Sequence, residues 1–272
     1  MSAANYLPAP ALAGLAILAI VGLTWGYASA TKPPPVCVAS DASRGVTIVV
    51  VDTTDPLSPT LARRMTATIE NERDKVPVGA RLVVLAVNPA EASEPVELAS
   101  ACNPGNSTGS NPLITTGSRL DRRWRDSFVD PVNAAITRAA ENPPAKSSPL
   151  LETISAVLNR PDFDGRVVLR RLVLISDMVQ NDADYSQLGK GDPWKRFEKS
   201  ELAKDLPLDL SGVDVAVDYL LRPEYRGIQG SKHKAFWAKL ASSHGAADFH
   251  FIGQPAEPAP AASTDNQTIA RR

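Results

Sequence analysis

The feature that most constrains the fold of this chain is a set of short, almost uninterrupted apolar runs separated by amphipathic segments. These runs are residues 46–52 (VTIVVVD), 81–87 (RLVVLAV) and 171–176 (RLVLIS). Such runs are typical of strands covered on both faces, as in a parallel sheet. Between the first two, residues 59–75 carry apolar side chains every four positions, the spacing of one helix face. The chain is therefore predicted to be an α/β protein with a Rossmann-like, mostly parallel sheet and helices on both faces.

The same alternation continues to the end of the domain. Further elements are expected, in chain order, at residues 95–101 (strand), 120–136 (helix), 149–158 (helix), 213–221 (strand), 231–243 (helix) and 247–252 (strand). Pro131 should kink or split the first of these helices. Two Ser-Pro pairs, Ser58-Pro59 and Ser148-Pro149, are each predicted to place serine at an N-cap and proline at the first helical position.

The N-terminal segment has the composition of a membrane anchor. Residues 1–31 contain no Asp, Glu, Lys or Arg, and residues 11–23 are apolar throughout. A helix from Tyr6 to Tyr27 would span about 32 Å, close to the thickness of the bilayer's hydrocarbon core, with aromatic residues at both interfaces. This segment is therefore predicted to be a single transmembrane helix. A cleaved signal peptide is the main alternative, since residues 28–30 (ASA) have the A-x-A form, and a buried soluble helix is the third.

The rest of the chain divides into a linker, one domain and a tail. Residues 32–44 begin with consecutive prolines, which favour a stiff, extended linker. Residues 45–253 hold all the predicted strands and the helices between them. Residues 254–272 are rich in proline, alanine and polar side chains and are predicted to be disordered. Within the domain, residues 181–205 form a long polar insertion, either a functional loop or a solvated excursion with one short helix.

Two features bear on the side of the membrane on which the domain lies. Lys32 and Arg44 follow the apolar segment and no cation precedes it, which favours the cytoplasm. The two cysteines, Cys37 and Cys102, each lie just outside a predicted strand of one sheet, where a disulfide is conceivable; two free thiols are the alternative. Cys37 and Cys102 are thus a candidate disulfide pair, and we expect a single-pass protein whose domain is extracytoplasmic, in the periplasm.

Short oxygen-bearing side chains gather at the predicted strand ends. Asp52 and Thr54 follow the first strand, Ser148 precedes a helix, and Asp177 follows a later strand. Ligands of parallel α/β sheets bind at the carboxyl ends of the strands, so these four side chains are expected to meet there. Carboxylate, hydroxyl and water oxygens are the ligands of Mg²⁺. Mg²⁺, or Mn²⁺ in its place, is therefore the expected ion.

This ordered set resembles the metal-ion-dependent adhesion site of von Willebrand factor A domains, and the resemblance covers the whole predicted domain. That family carries an Asp-x-Ser/Thr-x-Ser loop, a distant Thr and a distant Asp. Here DTTDPLS supplies Asp52 and Thr54, SSPLLETI places Ser148 at the threonine, and LVLISDM places Asp177 at the aspartate. Pro56 occupies the last hydroxyl position of the loop. The resemblance implies a scaffold that is not an enzyme and docks a partner protein at these residues, where an acidic ligand residue completes the ion's coordination. With the predicted anchor, the scaffold would be tethered to the membrane.

Two other interpretations of the same residues stay open. Ser58 and Ser148 could serve only as N-caps, with Asp52 and Asp177 accepting from loop amides, which would make the metal site degenerate. Alternatively, DTTD after a first strand is similar to phosphatases with an aspartyl nucleophile, which would be Asp52. Those enzymes need a second carboxylate where this chain has Thr54. The net charge of −1 gives no indication of nucleic acid as a partner.

Overall fold

The computed structural model of the chain describes residues 44–108, 116–141 and 144–253. The predicted anchor (residues 1–31), nearly all of the linker (32–44) and the predicted disordered tail (254–272) lie outside the described residues. None of the helices in the described part of the chain combines the length and apolar character that crossing a bilayer requires.

Six strands form one twisted sheet at the centre of the domain. In chain order they are β1 Val46–Val51, β2 Arg81–Ala86, β3 Val96–Cys102, β4 Arg170–Ser176, β5 Val213–Tyr219 and β6 Asp248–Phe251. Their spatial order is β3-β2-β1-β4-β5-β6. All neighbours pair in parallel except β2 and β3, which are antiparallel. The predicted α/β class and mostly parallel sheet are confirmed, and the strand predicted at residues 95–101 is the antiparallel edge strand β3.

Helices cover both faces of this sheet, as predicted. They are α1 Pro59–Lys75, α2 Gly117–Trp124, α3 Asp130–Ala140, α4 Leu150–Leu158, α5 Pro193–Phe197, α6 Glu201–Asp205 and α7 Ser231–Ser243. Val49 and Val51 of β1 belong to the apolar core that contains α1 and α3, whereas Ile48 and Val50 belong to the core with α4 and α7. Alternate residues thus face opposite layers, which explains why the strand is apolar throughout. Ser58 caps α1 as predicted, and its hydroxyl accepts from the N–H three residues later.

Pro131 alters its helix without ending it. α2 and α3 are joined by a π-helical turn, Arg125–Val129, and α3 begins at Asp130 with the proline in its first turn. Proline has no N–H to donate to the carbonyl four residues earlier, so the hydrogen bonding must change at this point. The wider turn keeps the chain helical and leaves Phe128 and Val132 buried.

The predicted polar insertion, residues 181–205, is packed onto the α7 side of the sheet. It contains two short helices, α5 and α6, where one was predicted. Tyr185 and Phe197 are buried and contact Phe236 of α7, with ring centroids 6.2 and 5.6 Å apart. Aromatic residues within this polar stretch therefore make it part of the core.

Cys102 ends β3 and is disulfide-bonded. Its predicted partner, Cys37, lies outside the described residues, so the pairing itself stays a prediction. The sequence contains no third cysteine.

Candidate functional site

The predicted site residues lie where the strand order of the sheet reverses. From the centre, β1 leads outward to β2 and β3, whereas β4 leads in the opposite direction to β5 and β6. Such a switch point opens a crevice at the carboxyl ends of the two central strands, which is the usual ligand site of open α/β sheets. Asp52 follows β1 and Asp177 follows β4. The N–H of Asp52 donates to the carbonyl of Ile175 at 2.9 Å, which holds the two strand ends side by side.

The Asp52 carboxylate is the centre of a buried hydrogen-bond network. Its Oδ1 accepts from the N–H and the hydroxyl of Thr54, at 3.1 and 2.6 Å. Its Oδ2 accepts from the hydroxyls of Ser148 and Ser176, at 3.1 and 2.8 Å. Asp52 is 2% exposed. Four donors therefore use the lone pairs of both oxygens, and three of the four predicted residues share this one network.

Ser148 reaches Asp52 because α4 does not begin as predicted. The helix starts at Leu150, and Pro149 occupies its N-cap position without a side-chain cap. Ser148 instead forms an isolated bridge with Asn181, and the two residues exchange backbone hydrogen bonds of 2.8 and 3.0 Å. The predicted N-cap role of Ser148 is therefore wrong. The bridge turns its hydroxyl toward the Asp52 carboxylate.

Asp177 is also buried, but its main partner is a cation. Its Oδ2 accepts from Nε of Arg222 at 2.6 Å, and its Oδ1 accepts from the N–H of Val179 at 2.9 Å. Neither side chain of the ion pair is more than 3% exposed. The guanidinium also donates through Nη1 to the Pro56 carbonyl at 2.7 Å and through Nη2 to the Asp55 carbonyl at 3.3 Å. Arg222 thus joins the loops that follow β1, β4 and β5.

Two neighbours hold the Arg222 loop in this position. Oε1 of Gln229 accepts from the N–H of Arg222 at 2.7 Å, and Nε2 of the same side chain donates to the Asp177 carbonyl at 2.9 Å. The Tyr225 hydroxyl donates to Oδ2 of Asp55 at 2.9 Å. We call Asp52, Thr54, Ser148, Ser176, Asp177 and Arg222 together the carboxyl-edge network.

The Asp177 carboxylate interacts electrostatically with both Asp52 and Arg222. Burial of the Asp177 carboxylate, and then repulsion by Asp52, raise the pKa of Asp177 to about 7, because Arg222 offsets only part of these two effects. Two carboxylates in one dry site destabilise each other in the ionised form. The guanidinium neutralises one of them, and hydrogen bonds alone support the other.

The backbone beside Asp177 is strained. Met178 has a φ of 63°, in the left-handed region that residues other than glycine rarely adopt. Its N–H donates to the Ser176 hydroxyl at 2.7 Å, and its carbonyl accepts from Nε1 of Trp237 at 2.9 Å. Strain of this kind persists only where the surroundings enforce it, and it gathers at functional sites.

A Mg²⁺ or Mn²⁺ ion fits these side chains poorly. Asp52 has no unused lone pair, Asp177 is bonded to a cation, and Pro56 offers no hydroxyl. The hydroxyl oxygens of Thr54 and Ser148 keep lone pairs, but Mg²⁺ in proteins is held through one or two carboxylates. An ion could enter only if the Asp52 hydrogen bonds or the Asp177 ion pair broke. The predicted residues therefore come together as hydrogen-bond and ion-pair partners.

A groove with a volume of about 330 Å³ lies beside the network at the same edge of the sheet. Its lining comprises Thr53, Thr54, Val87, Asn88, Pro89, Ala90, Val96, Pro144 and Ala145. The N–H of Ala145 donates to the Thr54 carbonyl at 2.7 Å, so one wall is tied to the network. Most of the lining is apolar, and Val96 is 46% exposed.

Two charged features of the structure are not among the predicted site residues. The first is Arg222, and the sequence marks it only as a cation shortly after the end of a predicted strand. The other lies at the opposite, amino edge, where Asp214 pairs in register with Asp248, and Nδ1 of His250 is 2.8 Å from an Asp248 oxygen. Their ligand atoms lie within 4.8 Å of one another. Arg171 already donates to Asp214, and exposed acidic groups of this kind are common without an ion.

Comparison of the sequence with protein-family models and with curated proteins finds no match.

Proposed function

We propose that this chain is a membrane-tethered, von Willebrand A-like module that binds a partner protein at the carboxyl edge of its sheet. The convergence of three chain segments at the β1/β4 switch point carries the proposal. Asp52, Thr54, Ser148 and Asp177 come from those segments, in the order that the family resemblance requires. Hydrogen bonds and an ion pair tie the loops of this edge together, and a surface that is ordered before binding loses little conformational entropy when it binds.

The groove beside the network is the proposed contact area. Most of its lining is apolar, and the partly exposed Asn88 adds a polar side chain, a composition suited to an extended segment or a few side chains of a protein. Its walls belong to strand ends and to a segment bonded to Thr54, so it is formed before the partner arrives. The buried carboxylates below it act as a support and do not touch the partner.

An aspartyl-nucleophile phosphatase is the weaker candidate. A nucleophilic Asp52 would need an oxygen lone pair directed at the substrate, yet each of its oxygens accepts two hydrogen bonds. Thr54 bonds to that carboxylate from the position where such enzymes place a second carboxylate. A phosphomonoester screen with Mg²⁺ tests this alternative. Turnover by the wild type that Asp52→Asn abolishes would favour the enzyme.

The membrane part of the proposal concerns residues 1–31, which would anchor the chain with the domain in the periplasm. The full chain should then remain with membranes after alkaline extraction, and protease added to intact spheroplasts should remove the domain. Release by alkali would favour the cleaved signal peptide. A membrane-bound, protease-protected domain would instead place it in the cytoplasm.

Site-specific photocrosslinking of the full chain tests the contact area. A photoreactive amino acid is introduced at Ala90 in the groove or at exposed Lys146, both at the carboxyl edge. The matched control is Arg166, an exposed residue of the loop that enters β4 at the amino edge. We expect one partner protein to be captured from the first two positions and not from the third. Capture only from Arg166, or equal capture from all three positions, contradicts the proposed contact area.

A further inference from the structure

We propose that Arg222 is the resident cation of this site: its guanidinium takes the place of the divalent ion, and the module therefore binds its partner without metal. The first part of this inference concerns the cation alone. The second part rests on the proposed function.

The contacts of Arg222 are those that a bound cation would make. It neutralises Asp177, the aspartate that the family resemblance assigns to the metal, through a 2.6 Å hydrogen bond from Nε. It also binds two carbonyl oxygens of the loop after β1, those of Pro56 and Asp55. Oxygen atoms from separate loops are the ligands of a hard metal ion, and they suit the fixed fork of guanidinium donors equally well.

Pro56 provides no side-chain oxygen for a metal ion, and its backbone carbonyl binds Arg222. In the resembled motif this position supplies a hydroxyl, which proline lacks. In this chain the backbone carbonyl of the same residue accepts from Nη1 of Arg222 at 2.7 Å. The residue that lacks the metal-binding hydroxyl is therefore also a residue that binds the guanidinium, although Pro56 and Arg222 are 166 positions apart in the sequence.

Because the site is buried, a metal ion at Asp177 and the Arg222 guanidinium cannot both occupy it. Arg222 is 3% exposed and Asp177 is 3% exposed, so a metal ion at Asp177 would lie in contact with a buried positive charge. Removal of the guanidinium from the site would break the three hydrogen bonds that it donates to Asp177, Pro56 and Asp55. An acidic residue of a partner gains little from this cation either, because Nε, Nη1 and Nη2 already donate within the chain. The partner would contact the groove instead.

The test measures Mn²⁺ binding and the melting temperature of the purified full chain. The variants are the wild type, Arg222→Ala, and Arg222→Ala with Asp177→Asn. Arg226→Ala is the matched control, because Arg226 is exposed and lies in the same loop. We expect no Asp177-dependent Mn²⁺ in the wild type or the control, and one Mn²⁺ per chain in Arg222→Ala that Asp177→Asn removes. Without metal, Arg222→Ala should melt about 6–20 °C lower than the wild type, since a buried carboxylate loses its partner.

Three results would overturn the inference. They are Asp177-dependent Mn²⁺ binding by the wild type, a folded Arg222→Ala variant that gains no Mn²⁺, and a loss of stability no larger than in Arg226→Ala. Mn²⁺ bound at the amino edge is recognised by its loss in His250→Ala. If Arg222→Ala does not fold, Arg222→Met replaces it, and Asp177-dependent Mn²⁺ binding by the wild type would still overturn the inference. Failure to capture a partner would count against the proposed function and leave these results unchanged.

Discussion

A double-mutant cycle between Ser148 and Asp52 tests the central contact of the network. Ser148→Ala removes one hydrogen bond to a buried carboxylate, which should reduce the free energy of unfolding by about 1.5–3 kcal/mol. Asp52→Ala leaves several buried donors without an acceptor and should cost about 3–5 kcal/mol. Once Asp52 is absent, Ser148→Ala should cost less than about 0.5 kcal/mol. The expected coupling energy is therefore about 1–3 kcal/mol.

Ser58 is the matched control for this cycle, because it too precedes a proline at the start of a helix. Its hydroxyl accepts from the N–H of Leu61 at 3.3 Å in an exposed position, so Ser58→Ala should cost about 0.5–1 kcal/mol. It should be additive with Asp52→Ala to within about 0.5 kcal/mol. Urea denaturation of the four variants of each cycle gives the energies. A coupling below about 0.5 kcal/mol for Ser148 would refute the network, because an N-cap serine would not sense Asp52.

Three further predictions concern the stability of the domain. Burial lowers the pKa of His233 from its ordinary value of 6.5 to about 4, so between these two pH values the unfolded state binds more protons than the folded state. In urea denaturation the free energy of unfolding, relative to that of His233→Gln, should therefore fall by about 2 kcal/mol from pH 7.5 to pH 5. Parallel pH curves for the two proteins would contradict this. Asp218 is fully buried and accepts hydrogen bonds from Arg64 and Thr68 of α1, at 2.6 and 2.5 Å, so Asp218→Ala should reduce the free energy of unfolding by about 2–4 kcal/mol. The exposed control, Asp74→Ala, should reduce it by less than about 1 kcal/mol. A non-reducing peptide map should join Cys102 to Cys37, and reduction should lower stability by about 2–5 kcal/mol; a Cys102 peptide joined to another chain would contradict this.

The sheet can be predicted from the sequence because its signals are local. A strand buried on both faces needs an uninterrupted apolar run, and β1, β2 and β4 have one. The π-helical turn before Pro131 follows from the missing N–H of one residue. The two Ser-Pro pairs show the limit of such reasoning. The serine caps a helix at Ser58, whereas the bridge to Asn181 directs Ser148 to Asp52.

The charges of the site could be predicted only in part. Asp52 and Asp177 can be placed at one edge, because parallel strands end on the same side. The Arg222 contacts join residues 45 and 166 positions apart, and no local pattern encodes them. The left-handed backbone of Met178 is equally hidden, since methionine carries no preference for it. Contacts between loops set both features.

Partner binding without a metal is tested most directly by the yield of photocrosslinked partner from the Ala90 position, measured in EDTA and in 10 mM Mg²⁺ at equal ionic strength. We expect the same partner at the same yield in both buffers, because Arg222 holds the loops together without a metal. A yield that falls in EDTA and returns with Mg²⁺ would contradict it, and would show that an ion completes this site.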